Sequence, residues 1–435
     1  MTPLDYDRAR IWHPYAALGE SAPPVRLAAR GEGLDIVLAD GRRLIDAVSS
    51  WWCVAHGHCR PEIVDAIRRQ AGILPHVMFG GFTHFPAIEL AERLAGMAPP
   101  GLDRVFFADS GSISVEVAAK MAVQYQTALG HPEKNKLLAL KGGYHDDTSL
   151  CMAISDPDGM HTLFRGIMTR HYFADKPALP PGGEWRDEAA ESLCREMALH
   201  GGEIAAVICE PVFQAANAMN FYHCNYLREM RRLCDEYGAL LVFDEIAAGF
   251  HRTGPLWAHG RAGVEPDIMT VGKALTGGHV SLAATLASAK VADAISAGSP
   301  NAFMHGPTYM ANPIACAAAI ASLDLFAKGG YGERVAEIED GFRRGLAGVE
   351  SLPNVADVRI LGAVAVVELR GMPSRPDVDG VIDSHGVWLR PFGKFAYAMP
   401  PLVSDAKAVS RICGALGDIA SREAAPVQEA GDFHE

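Results

Sequence analysis

Leu240-Leu241-Val242-Phe243-Asp244 and, further along the chain, Ile268-Met269-Thr270-Val271-Gly272-Lys273 are two short, largely apolar runs that each deliver one charged residue at their end. Runs of this length, bounded by turn residues, read as buried strands. Ligands of a parallel sheet sit beyond the carboxyl ends of its strands, so Asp244 and Lys273, 29 residues apart, are expected to face one crevice. Working outward, RVFFADS (104–110), KLLALKGGYHD (136–146) and AAVICEP (205–211) are further strand-like runs separated by helical stretches. That alternation predicts an α/β fold, a mostly parallel sheet of the seven-stranded type covered by helices on both faces.

The flanks read differently. VRLAARGEGLDIVLADGRRLIDAVSS (25–50) is a strand hairpin turning at Asp40-Gly41. Beyond Gly329-Gly330, a charged helix (333–349), the strands VADVRI and AVAVVEL and the segment GVWLRPF form a smaller α+β domain. The expected division is an N-terminal segment, 1–55, packing with the small domain; a large domain, 56–320; the small domain, 321–425; and a frayed tail, 426–435.

Composition narrows the function. The 435 residues are 49% hydrophobic and 21% charged, a folded chain and not a disordered one. A net charge of −13 with no basic stripe argues against a nucleic-acid partner. The nine cysteines are scattered and form no C-x-x-C pair, which suits free thiols in a reducing compartment. With no apolar leader and no run of the roughly 18 apolar residues a membrane span needs, a cytoplasmic protein is expected, with no membrane partner.

An amine and a carboxylate at one crevice suit a cofactor that carries both an aldehyde and a pyridine nitrogen. The amine serves as Schiff-base partner and the carboxylate keeps the ring nitrogen protonated, a demand pyridoxal 5'-phosphate meets. A plain ion pair at the sheet edge is the competing reading of Asp244 and Lys273. Two features weigh against it. Gly111 and Ser112 open a helix directly after a strand, where unpaired backbone N–H groups attract an anion such as phosphate. Gly142-Gly143-Tyr144-His145 follows another strand, where glycine permits close approach and an aromatic ring can stack on a flat heterocycle.

LLVFDEIAAGFHRTG (240–254), DIMTVGKALTGG (267–278), the ADSGS turn (108–112) and HGPTYMANPIACAAA (305–319) resemble class III aminotransferases, pyridoxal-phosphate enzymes of fold type I. IWHPY (11–15), Ser50-Trp51-Trp52, FGGFTHFPAIEL (79–90) and VWLRPFGKFAYAMPP (387–401) are similar, within that class, to the adenosylmethionine-8-amino-7-oxononanoate aminotransferases of biotin synthesis. The resemblance implies that Lys273 makes the imine with the cofactor and Asp244 pairs with its ring nitrogen, with Ile246 and Tyr144 packing near the two ring faces. Gly111 and Ser112 would hold the phosphate, joined by Pro307 and Thr308 of a partner subunit in a homodimer with shared sites. Tyr15, Trp51, Trp52, Asp147 and Gly306 would shape the substrate pocket, and Arg390 would bind the carboxylate of 8-amino-7-oxononanoate. Glu210 would be a supporting or donor-recognition carboxylate. The implied reaction is transamination of 8-amino-7-oxononanoate to 7,8-diaminononanoate with S-adenosylmethionine as donor. An ω-amino-acid or polyamine transaminase of the same class is the alternative. The Phe213–Met219 segment departs from the resembling pattern by carrying Ala and Asn in place of a glycine-rich turn.

Other signals carry less. LLVFDE also reads as a Walker B strand, but Asp267 stands where a Walker A loop needs glycine and Ala274 follows the lysine instead of Ser or Thr. Cys53 with His56-Gly57-His58-Cys59 lacks the spacing of a structural zinc site, so no metal is expected. Gly31-Glu32-Gly33 lacks the third glycine of a dinucleotide motif and is expected to be a turn.

Overall fold

The computed structural model describes residues 1–216, 219–422 and 424–426, and the chain divides into two compact units, Met1–Arg60 together with the part from Glu333 onward, and Pro61–Gly332. After a short helix, Pro3–Arg10, the first unit forms an antiparallel meander of β1 (Ala28–Glu32), β2 (Asp35–Leu38) and β3 (Arg43–Asp46). Gly31 and Glu32 belong to β1, and the turn falls after them at Gly33, whose φ of +60° suits glycine.

The second unit is built on a seven-stranded sheet. Its strands are β4 (Arg104–Ala108), β5 (Lys136–Leu140), β6 (Tyr172–Ala174), β7 (Ile204–Cys209), β10 (Leu240–Asp244), β11 (Ile268–Val271) and β12 (Ala283–Ala287), with a short hairpin of β8 (Phe213–Gln214) and β9 (Asn220–Phe221) between β7 and β10. The order is β4-β12-β11-β10-β7-β5-β6, and β12 alone runs against its neighbours. Every residue of β7 and β10 is buried, as expected for strands covered on both faces. The helix Gly111–Ala128 supplies one cover: Val115, Ala118, Ala122 and Tyr125 join Leu137, Ile208, Val242 and Ile268 in one core cluster. Each fully buried aliphatic side chain there contributes about 1.5–3 kcal/mol.

The chain then returns to the first unit. β13 (Val355–Leu361), β14 (Val364–Leu369) and β17 (Phe395–Ala398) form an antiparallel sheet, and β16 (Val387–Trp388) adds in parallel to β3, closing the N-terminal and C-terminal parts into one body. β18 (Ala424–Pro426) pairs with β15 (Gly371–Pro373), so backbone hydrogen bonds order Pro426, and the remainder of the expected frayed tail, 427–435, lies outside the described residues. All nine cysteines are free thiols, and among the described residues no single helix is long and apolar enough to cross a membrane.

Candidate active site

Five strands of the large sheet end on the same side, and each hands over a residue of the candidate site. β4 leads to Ser110 and Gly111, β5 to Tyr144 and His145, β7 to Glu210, β10 ends in Asp244, and β11 leads through Gly272 to Lys273. Asp244 pairs in register with Thr270, which sets the lysine three residues beyond it on the adjoining parallel strand. Lys273 has φ +45°, a left-handed backbone that costs a non-glycine residue energy and is kept mainly where function demands it. Ile246 ties two of these ends together. A Cβ on Gly111 would stand 3.2 Å from its Cδ1 and one on Gly272 would stand 3.5 Å from its Cγ2.

Asp244 is 4% exposed and held at both oxygens. Its Oδ1 accepts from the Thr270 hydroxyl at 3.1 Å and the Ile246 amide at 3.1 Å, and its Oδ2 lies 2.7 Å from His145 Nδ1. Burial pushes the His145 imidazole down, but the hydrogen bond and charge of Asp244, with the charge of Glu210, outweigh it and hold its pKa above the ordinary histidine value. Glu210 is buried behind them, accepting from the Tyr144 amide at 3.0 Å and the Ala215 amide at 2.9 Å. Burial, opposed by the charge of His145 and aided by that of Asp244, pushes the Glu210 carboxyl up to about 7. Glu210 thus supports the Tyr144 backbone. Within the Phe213–Met219 segment, Asn217 and Ala218 lie outside the described residues.

The anion seat is a true helix start. Ser110 caps the helix Gly111–Ala128, accepting from the Ile113 amide, and its hydroxyl lies 3.0 Å from that of Ser112. The segment holding Gly306, Pro307 and Thr308 is pinned at both ends, by His305 against Lys120 and Phe106 and by Tyr309 against His76. Gly306 and Thr308 themselves are exposed on the single chain.

Tyr144 and Asp147 meet. The Tyr144 hydroxyl donates to Asp147 Oδ1 at 3.1 Å, and the same oxygen lies 2.9 Å from His161 Nε2, whose ring stacks on Tyr144. His161 is absent from the sequence reading because 16 intervening residues and a three-residue ring contact leave no local pattern. Thr270 was also missed, although its place opposite Asp244 follows once the two strands are paired in register.

The remaining expected residues lie in the other unit. Ser49, Ser50, Trp51 and Trp52 have φ of +47°, +46°, +59° and +72°, a left-handed turn of four non-glycine residues. Such a conformation costs roughly 1–2 kcal/mol per residue, so the surroundings must hold it. The Ser49 hydroxyl donates to the Met399 carbonyl at 2.7 Å, and Trp52 is buried with its ring set edge-on to Tyr397. Trp51 is 41% exposed, with the Arg390 guanidinium carbon 5.0 Å from its ring centroid. Tyr15 is also exposed and has φ +58°.

The residues of the large unit fit pyridoxal phosphate. They offer a buried carboxylate backed by an imidazole, an amine on a strained strand end, and a helix start where any side chain on Gly111 would press on Ile246. The fold is that of the type-I pyridoxal-phosphate enzymes, and the chain belongs to the class-III aminotransferases: the model of the family described as "Aminotransferase class-III" matches residues 16–420. Among its relatives are proteins named adenosylmethionine-8-amino-7-oxononanoate aminotransferase. The one from Mycobacterium leprae (strain TN) is 45% identical over 95% of each chain, and the one from Saccharomyces cerevisiae is 37% identical over 94% of each. The crystal structure of the protein of that name from Methanocaldococcus jannaschii matches with a TM-score of 0.89 at 30% identity, covering 95% of this chain and 97% of that one. An omega transaminase from Pseudomonas jessenii, solved in complex with PMP, matches at 0.88 and 28% identity over 96% and 97%.

Proposed function

We propose that this aminotransferase moves an amino group from S-adenosylmethionine to 8-amino-7-oxononanoate, giving 7,8-diaminononanoate for biotin synthesis. The observation that carries the chemistry is the delivery of Asp244 and Lys273 by adjoining parallel strand ends, with Gly111 and Gly272 both against Ile246. Substrate identity draws its support from relatives of up to 45% identity that bear this name.

Pyridoxal phosphate, when bound, supplies an aldehyde that takes up and returns the amino group, with an electron-withdrawing ring conjugated to it. The N–H groups at Gly111 and Ser112 would hold its phosphate. Asp244, oriented by His145, Thr270 and the Ile246 amide, would hold a proton on the ring nitrogen. Lys273 Nζ would take a proton from the amine-bearing carbon of the donor, acting as base, and return one to the corresponding carbon of the acceptor, acting as acid. Tyr144, fixed at its hydroxyl by Asp147 and at its amide by Glu210, bounds the reacting groups. Arg390 takes the acceptor's carboxylate through its planar N–H groups.

The protein acts as a homodimer in the cytoplasm, with Pro307 and Thr308 serving the partner's phosphate site and Gly306 the partner's substrate. Supporting this, Met78, Phe82, Phe85, Ile88, Met304 and Tyr309 leave large apolar side chains exposed on the large unit of a single chain. The test is an assay of S-adenosylmethionine, lysine and alanine as donors to 8-amino-7-oxononanoate. Turnover fastest with S-adenosylmethionine supports the proposal. Turnover with lysine alone replaces the donor, and no turnover of 8-amino-7-oxononanoate with any donor rejects the assigned acceptor.

A further inference from the structure

We propose that Asp46 and His58 are positioning residues that clamp the left-handed Ser49–Trp52 turn and, through Trp51, hold the Arg390 guanidinium where the acceptor's carboxylate is received. The role of Arg390 rests on the function proposed above; the clamp rests on contacts within one unit of the chain.

Four successive left-handed positions occupied by Ser, Ser, Trp and Trp do not persist by backbone preference, so named contacts must impose them. Asp46 is completely buried, and its Oδ2 accepts from the Ser50 hydroxyl at 2.7 Å while lying 2.9 Å from His58 Nε2. Its Oδ1 is buried without a hydrogen-bond partner among the described residues. A buried carboxylate engaged at only one oxygen is a costly way to fill a core, and packing alone does not account for it. His58 is itself seated with care. Its amide donates to the Gly33 carbonyl at 2.7 Å, and a Cβ on Gly31 would fall 2.6 Å from His58 Cβ, so glycine is required at position 31.

The linkage therefore runs from the β1–β2 turn through His58 and Asp46 to Ser50, and from the next residue, Trp51, to Arg390. The Arg390 guanidinium lies over the Trp51 ring, a cation–π contact that ties the position of the cation to that of the indole. A fixed ring fixes the guanidinium, and less ordering is then needed when the substrate binds.

The experiment uses the holoenzyme with His58→Phe, which keeps a ring but removes the donor; His58→Gln, which restores a donor near the Nε2 position; and Ser50→Ala, which breaks the same link from the other side. Loss of one charge-assisted contact is expected to raise the KM for 8-amino-7-oxononanoate about tenfold in His58→Phe and Ser50→Ala. The donor's KM and kcat are expected to stay within about twofold, with His58→Gln close to the unaltered enzyme. Acrylamide quenching of Trp51, read as the difference between each protein and its Trp51→Phe counterpart, should rise in the first two variants and return in the third. Equal rises in both KM values, or unchanged Trp51 quenching, would overturn the clamp. If the unaltered enzyme fails to use 8-amino-7-oxononanoate, the proposed function falls, and the quenching series decides the clamp by itself. Should His58→Phe not fold, Ser50→Ala gives the same decision.

Discussion

Replacing Asp244 by Asn separates the chemistry of the site from its architecture. The Asn oxygen can still accept from Thr270 and the Ile246 amide, and its NH₂ can donate to His145 Nδ1 once that ring is the neutral Nε2–H tautomer. The hydrogen-bond frame survives, and exchanging one charge-assisted contact for a neutral one costs about 1–2 kcal/mol of stability. The charge does not survive. A carboxylate and a ring-nitrogen cation about 4 Å apart in an effective dielectric of about 20 attract by about 4 kcal/mol, and losing that is worth about a thousandfold in rate. The assay pairs kcat, measured at saturating cofactor, with the dissociation constant of pyridoxal phosphate measured by fluorescence. The phosphate seat does not involve Asp244, so affinity should fall only about tenfold while kcat falls about a thousandfold. His145 should also titrate lower, because its main upward push is gone. Turnover within about tenfold of the unaltered enzyme, with cofactor fully bound, would refute the reasoning, as would equal losses in kcat and affinity.

Three further outcomes follow from the packing. His171 accepts from the Leu137 amide through Nδ1, and burial, with the charge of Lys136, pushes it down to about 4. A histidine depressed in the fold favours folding above its unfolded value near 6.5 and loses that contribution as pH falls toward 4; denaturation midpoints at about pH 7.5 and about pH 5 should show about 2 kcal/mol of loss that His171→Gln largely removes. Gly111→Ala should weaken cofactor retention about tenfold by pressing on Ile246 Cδ1, and adding Ile246→Val, which lacks that carbon, should recover part of it in a fluorescence titration. Phe85 is 87% exposed on the single chain, so Phe85→Asp should fold with unchanged circular dichroism yet sediment as a monomer and lose activity.

Much of the site was legible because it is built at strand ends. A run such as Leu240–Asp244 is apolar until the residue that leaves the sheet, and that break in pattern is visible without any structure. The same logic points to Lys273, Gly111 and Tyr144, which the structure places at neighbouring strand ends. β12 escaped because Ala283–Ala287 is an alanine-rich strand with weak β-branched character, and β6 because three residues carry too little periodicity. The contacts that hold the site were harder to read. His145 to Asp244 spans 99 residues and His58 to Asp46 joins a loop to a strand end, so no local spacing announces either. The left-handed Ser49–Trp52 turn is the plainest case: Ser-Ser-Trp-Trp has no glycine to signal positive φ, and only tertiary contacts impose it. The pairing of Ala424–Pro426 with β15 likewise depends on a strand some fifty residues earlier and has no local signal.

The central claim is that Lys273 carries the cofactor. Borohydride reduction of the holoenzyme, followed by proteolysis and mass spectrometry, should leave a pyridoxyl group on the peptide containing Lys273 and nowhere else. A pyridoxyl group on a different lysine, or none on any, would contradict the account.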